Sequence, residues 1–133
     1  MNNIFDEITM QLPQKADYVG LVRLTASGIA SKIGFDIDSI EDIKVAISEV
    51  CNKIITYKPE NANQNFIITF QLLSKEFKVL FKVTDEFTRT MFEGESGEFA
   101  KMIITSLMDE FTVKCKDGCI ITMGKSLGDY PDE

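Results

Sequence analysis

The chain is 133 residues long, 44% apolar and 26% charged, with a net charge of −7 and no histidine. This is the composition of one folded domain with a real core, not of a disordered tail. The acidic balance weighs against general nucleic-acid binding, and the lack of histidine excludes Ser-His-Asp nucleophiles and histidine-ligated zinc.

Residues 1–7 carry neither the basic nor the apolar stretch of a signal peptide. No apolar run approaches the roughly 20 residues of a membrane span, so a cytoplasmic protein without membrane contact is expected. Three cysteines, an odd count without a secretion signal, point to a reducing compartment. Cys115 and Cys119 are therefore expected as two reduced thiols across a hairpin.

Residues 4–12 alternate loosely and end at Pro13, which predicts a first strand. Val19, Val22, Ala26, Ile29, Ala30 and Ile33 recur at helical spacing, predicting a helix over 14–33 closed by Gly34. Ser39 is the N-cap candidate for a second helix over 40–57, with Asp42 three residues on. Its core stripe is Ile43, Ala46, Ile47, Val50 and Ile54, and Pro59 stops it.

Two strands follow with a clean period of two. Phe66, Ile68, Phe70 and Leu72 in the first strand and Phe77, Val79, Phe81 and Val83 in the second form a one-sided core face. A turn near Ser74-Lys75 joins them as a hairpin. Residues 84–97 hold two glycines and four carboxylates, Asp85, Glu86, Glu93 and Glu95, and read as a loop. A third helix is predicted over 98–108, then a hairpin of 111–115 and 119–123 around Lys116-Asp117-Gly118, where Asp-Gly is a strong turn signal. The tail over 124–133 is expected to fray. The order β-α-α-β-β-α-β-β with helices sharing one sheet face defines a single α+β domain over 1–133. Its architecture is a two-layer α/β sandwich with a mixed, mainly antiparallel sheet.

The segment richest in chemistry is the second helix. Glu49 lies three residues before Asn52 and four before Lys53, so the three side chains share one helix face. A carboxylate and a carboxamide there can orient water and hold Mg²⁺ beside phosphates. By spacing alone, the prevailing reading of the same residues is a solvated stripe with a Glu49–Lys53 ion pair, worth about 0.3–0.5 kcal/mol.

The segment Ala16-Asp17-Tyr18-Val19-Gly20-Leu21-Val22-Arg23-Leu24, the helix around Glu49 and Leu107-Met108-Asp109-Glu110 resemble the bacterial anti-sigma factor/serine-protein kinase family. That family belongs to the GHKL, histidine-kinase-like ATPase superfamily. The resemblance runs through nearly the whole chain and implies the Bergerat fold with an ATP and Mg²⁺ site. It implies two protein partners, a sigma factor and an anti-anti-sigma antagonist phosphorylated on Ser, and a homodimer. It aligns Glu49 with the catalytic carboxylate, Asp85 with the adenine-binding Asp, and Arg23 with an arginine that contacts partners.

Three positions depart from the family pattern. The Mg²⁺-binding Asn, four residues after the catalytic Glu, is Lys53 here; Asn52 comes one residue early, about 100° around the helix. The Asp-x-Gly motif reads Asp85-Glu86-Phe87, replacing the residue that lets backbone approach a ligand. The glycine-rich phosphate loop is short and reads Gly97-Glu98-Phe99-Ala100, with Glu93 and Glu95 adding negative charge. The expectation is an anti-sigma-like binding protein of a partner-switching pathway with weakened or lost ATP binding. The alternative is an active serine-protein kinase that uses Glu49, Asn52, Asp85 and Gly97.

Overall fold

The alternating strands build the sheet that the sequence predicts. The computed structural model of the chain describes residues 6–56, 65–84 and 90–128. Its elements are β1 (Asp6–Pro13), a single 3₁₀ turn (Ala16–Tyr18), α1 (Val19–Ile33), α2 (Ile37–Thr56), β2 (Asn65–Leu72), β3 (Glu76–Val83), α3 (Gly94–Leu107), β4 (Glu110–Cys115) and β5 (Cys119–Ser126). The five strands run in the order β1-β2-β3-β5-β4. All four pairings are antiparallel, so the mixed sheet expected from the sequence is antiparallel throughout the described residues.

Register sorts the side chains. Phe70 stands opposite Val79, and Phe81 opposite Ile121, with all four buried. These residues meet Val22, Ala26, Ile43, Ile47, Val50 and Ile54 from α1 and α2 in one core. A strand exposes alternate residues to opposite faces, so Lys78, Leu80 and Lys82 are left on the face away from this core. The result is the two-layer α+β sandwich.

Several boundaries differ from the sequence reading, each for a local reason. The first helix begins as a 3₁₀ turn, and α1 proper starts at Val19. It ends as expected: Gly34 takes φ +119°, and the amides of Gly34 and Phe35 both donate to Ala30 O. Helix α2 starts three residues before the predicted point. Its cap is Asp36, whose Oδ1 accepts from Ser39 N at 2.8 Å. Ser39 is thus inside the helix instead of capping it. That backbone hydrogen bond, the first cause, holds the Asp36 carboxyl below the usual aspartate value.

Of the tail expected to fray, residues 124–127 are held in place, and residues 129–133 lie outside the described residues. Residues 124–126 extend β5 opposite Glu76, Phe77 and Lys78, and Leu127 N donates to Lys75 O. The Leu107-Met108-Asp109-Glu110 segment fastens this end. Asp109 Oδ2 accepts from Ser126 N at 2.7 Å, and Lys125 Nζ donates to Leu107 O, a last carbonyl of α3. Cys115 and Cys119, expected as thiols, form a disulfide across β4 and β5, where they stand directly opposite in register. Hairpin closure brings the two Cα atoms to 4.0 Å, which puts the sulfurs within bonding reach.

Candidate nucleotide and partner sites

Helix α2 positions the first group of candidate residues. Its core stripe ends in Val50, Cys51 and Ile54, all fully buried. The 3.6-residue period leaves Glu49 and Lys53 half-buried beside that stripe and turns Asn52 to the exposed side. Cys51, inside the stripe, is no nucleophile: burial pushes its thiol up to about 12.

Lys53 reaches across to the next helix, where its Nζ donates to Ser96 Oγ at 3.0 Å. Ser96 lies in the first turn of α3, which begins four residues before the predicted start at residue 98. The helix starts early because glycines make its entry possible. Gly94 takes φ +77°, a left-handed value that a side chain would oppose. Gly97 is buried against the backbone of Phe92, and a Cβ there would lie 2.4 Å from the Phe92 carbonyl carbon. Gly97 is therefore fixed by packing.

The residues around this turn are apolar and acidic. Glu95 and Glu98 join Gly94, Ser96, Phe99 and Met102 around an open hollow of about 750 Å³. A helix N-terminus favours anions, but these carboxylates already supply negative charge there. A Mg²⁺ ion needs oxygen ligands, and an ammonium only donates, so the Lys53–Ser96 pair does not fit the metal. Among the described residues, no three His, Cys, Asp or Glu side chains converge as metal ligands. Asp85 and Phe87 lie outside the described residues.

Arg23 belongs to a separate surface, between α1 and α2. It lines a groove of about 220 Å³ with Gly20, Leu24, Ser27 and Lys44. The Arg23 Nε is buried and has no hydrogen-bond partner in the described structure. Lys44 is held by Glu41 at 3.1 Å. Leu24 is 72% exposed, which makes it the most open large apolar residue of α1. The structure thus brings Glu49, Lys53 and Gly97 to the α2–α3 side and sets Arg23 apart. The sequence reading missed Ser96 and Lys44. Ser96 adjoins Gly97 in the chain, but only the contact between helices shows its partner.

Comparison with known proteins identifies the fold. The family described as Histidine kinase-like ATPase domain matches residues 12–125. The chain is 32% identical to Serine-protein kinase RsbW of Bacillus subtilis, with 96% of this chain and 89% of that protein covered. It is 34% identical to Serine-protein kinase RsbW of Listeria monocytogenes, covering 97% and 92%. A crystal structure of RsbU and RsbW domains from Mycobacterium tuberculosis superimposes with a TM-score of 0.71 at 14% identity. That match covers 91% of this chain and 32% of the other, and it bears on the fold alone. The chain belongs to the histidine kinase-like ATPase domain family, among the RsbW-type anti-sigma factor/serine-protein kinases. No helix among the described residues is long and apolar enough to cross a membrane.

Proposed function

We propose that this chain is an anti-sigma-type regulatory protein that binds a sigma factor, an anti-anti-sigma antagonist, or both in turn. The observation that carries this reading is Arg23, a half-buried guanidinium whose Nε lacks a partner within the fold. Beside it stands Leu24, largely open to solvent. A buried donor without an acceptor is costly, and a partner carboxylate or carbonyl seated on this groove would satisfy it. Arginine beside an exposed aliphatic is also a common composition of binding hot spots. In this reading the protein acts as a homodimer without touching nucleic acid.

ATP and Mg²⁺ binding is weakened or lost in the same reading. Its support is Lys53, directed to α3 where a metal ligand is expected, and the carboxylates Glu95 and Glu98 near the same turn. The second reading is an active serine-protein kinase. The names of the relatives favour it, as does the half-buried Glu49, which in that case accepts the proton of the seryl hydroxyl. Asn52, Asp85 and Gly97 then contribute to the nucleotide site.

Two titrations decide between them. Calorimetry with the sigma factors and antagonist proteins of the same organism should give binding that Arg23→Ala weakens about tenfold or more. No binding to any of them would refute the partner reading. In parallel, ATP with Mg²⁺ should show no micromolar affinity and no transfer of phosphate to the antagonist. Transfer that Glu49→Gln abolishes would establish the kinase instead.

A further inference from the structure

We propose that Cys115 and Cys119 form a reversible thiol–disulfide site, a redox clip at the tip of the β4–β5 hairpin that sets the order of the adjoining end of β3. The argument begins with register. The two residues are directly opposite on antiparallel strands, with only Lys116, Asp117 and Gly118 between them. The turn is closed by its own backbone: Lys116 N donates to Gly118 O at 2.8 Å, and Asp117 and Gly118 take φ of +55° and +104°. Ladder and turn therefore place the two sulfur-bearing positions opposite each other in either redox state, and the bond limits how far the tip can open. Oxidation and reduction need no rearrangement of the fold, which is what a reversible site requires.

The two positions differ in access. Cys119 is 2% exposed, whereas Cys115 is half-buried. The third cysteine, Cys51, is fully buried in α2 and cannot compete. Lys114 and Lys116 flank Cys115 in the chain, and cations favour the thiolate that attacks. The oxidant fitting this site is a low-molecular-weight disulfide. The Cys115 thiolate attacks one of its sulfurs, forming a mixed disulfide and releasing one small thiolate. The Cys119 thiolate then attacks Cys115 Sγ, forms the 115–119 bond and expels the second small thiolate. Two protein thiols are oxidised, one small disulfide is reduced to two thiols, and the two protons leave the protein with them.

The consequence lies next door. Cys119 pairs with Val83, the last residue of β3. Gly118 packs so closely over that end that a Cβ on it would sit 2.6 Å from Val83 O and 3.1 Å from Thr84 Cα. Thr84 leads directly into Asp85 in the sequence. Fixing the hairpin tip thus fixes the surface on which the β3 terminus rests, and releasing the bond lets tip and terminus open together. The inference stands independently of the partner or kinase reading, because it concerns the state of the thiols and the backbone beside them.

The test uses the full chain in glutathione buffers of graded reduced-to-oxidised ratio. Thiols are counted by maleimide mass tagging after denaturation, and amide hydrogen exchange is followed in each state. The expected count is three thiols in excess reduced glutathione and one in oxidised buffer, with the chain monomer mass unchanged. Exchange at 83–84 and 115–119 should be roughly tenfold faster in the reduced form, with α1 and α2 unaffected. The Cys115→Ser variant, altered at the more exposed position, should show the reduced exchange pattern in every buffer. The proposal is overturned by a pair that stays reduced in oxidised glutathione or stays bonded in excess thiol. Glutathione retained on the protein, links between chains, or identical exchange in both states would overturn it equally. So would redox-dependent exchange persisting in Cys115→Ser.

Discussion

Helices α2 and α3 touch each other over the same sheet, yet they are anchored by different means. Helix α2 buries Ile43, Ile47, Val50 and Ile54 completely, a stripe of large aliphatics down its whole length. Helix α3 buries Gly97, Ala100 and Ile104 and leaves Phe99 and Met102 about 60% exposed. The first is a structural keel that presents Glu49 and Lys53 from a fixed position. The second is held by close backbone approach and a few polar contacts, and its open side carries apolar and acidic groups. Apolar burial thus anchors α2, whereas backbone contact at Gly97 anchors the first turn of α3.

Substitutions can break this contrast in graded steps. Ile47→Ala in the keel should cost about 2–5 kcal/mol in urea unfolding, because it opens a cavity among residues that cannot all collapse. Phe99→Ser on the open face of α3 should stay within about 0.5 kcal/mol of the parent. If the two costs were equal, the contrast would be wrong. Gly97→Ala comes next, at about 1–3 kcal/mol, since the new Cβ meets the Phe92 backbone and not a yielding side chain. Its damage should appear in hydrogen exchange of residues 94–99 before it appears in α2.

Cys115→Ser should lower stability by about 2 kcal/mol in oxidising buffer and by far less in excess thiol, as expected for so short a closed loop. Ser96→Ala removes one acceptor of the Lys53 ammonium and should cost below about 1 kcal/mol. A double-mutant cycle with Lys53→Met would show whether the two side chains are coupled at all. The smallest expected effect is the pH dependence of the α2 cap. The Asp36 carboxyl is held below its ordinary value of 3.8 in the folded chain. Its contribution is therefore complete above that value and is lost as pH falls through the lowered native one. Asp36→Asn should flatten this part of an acid-unfolding curve while leaving neutral stability nearly unchanged, because Asn also caps well.

The fold was largely legible in the chain because strand and helix periods are local. The alternation of Phe66 to Leu72 and Phe77 to Val83 predicted β2 and β3, and the stripe from Ile43 to Ile54 predicted α2. What the pattern missed were starts and ends. Asp36 outcompeted Ser39 as the cap, although both are good capping residues and only the path of the chain after Gly34 separates them. Gly94 to Gly97 looked like loop because glycine has poor helix propensity, but packing on Phe92 demanded glycine at position 97. Ser126 and Leu127 looked frayed because their partners, Asp109 and Lys75, are distant in sequence.

The candidate sites divide in the same way. Sequence alone determined that Glu49, Asn52 and Lys53 share a helix, that Asp-Gly turns the last hairpin, and that the chain belongs with the anti-sigma factor/serine-protein kinase proteins. The first two are matters of spacing and residue type, and the third rests on a resemblance that runs through nearly the whole chain. Tertiary structure decided that Lys53 meets Ser96, that Arg23 keeps a buried nitrogen without an acceptor, and that two cysteines expected as thiols are joined. Each of those depends on which surfaces packing brings together, and a hydrogen bond or a disulfide exists only within a few ångströms of contact.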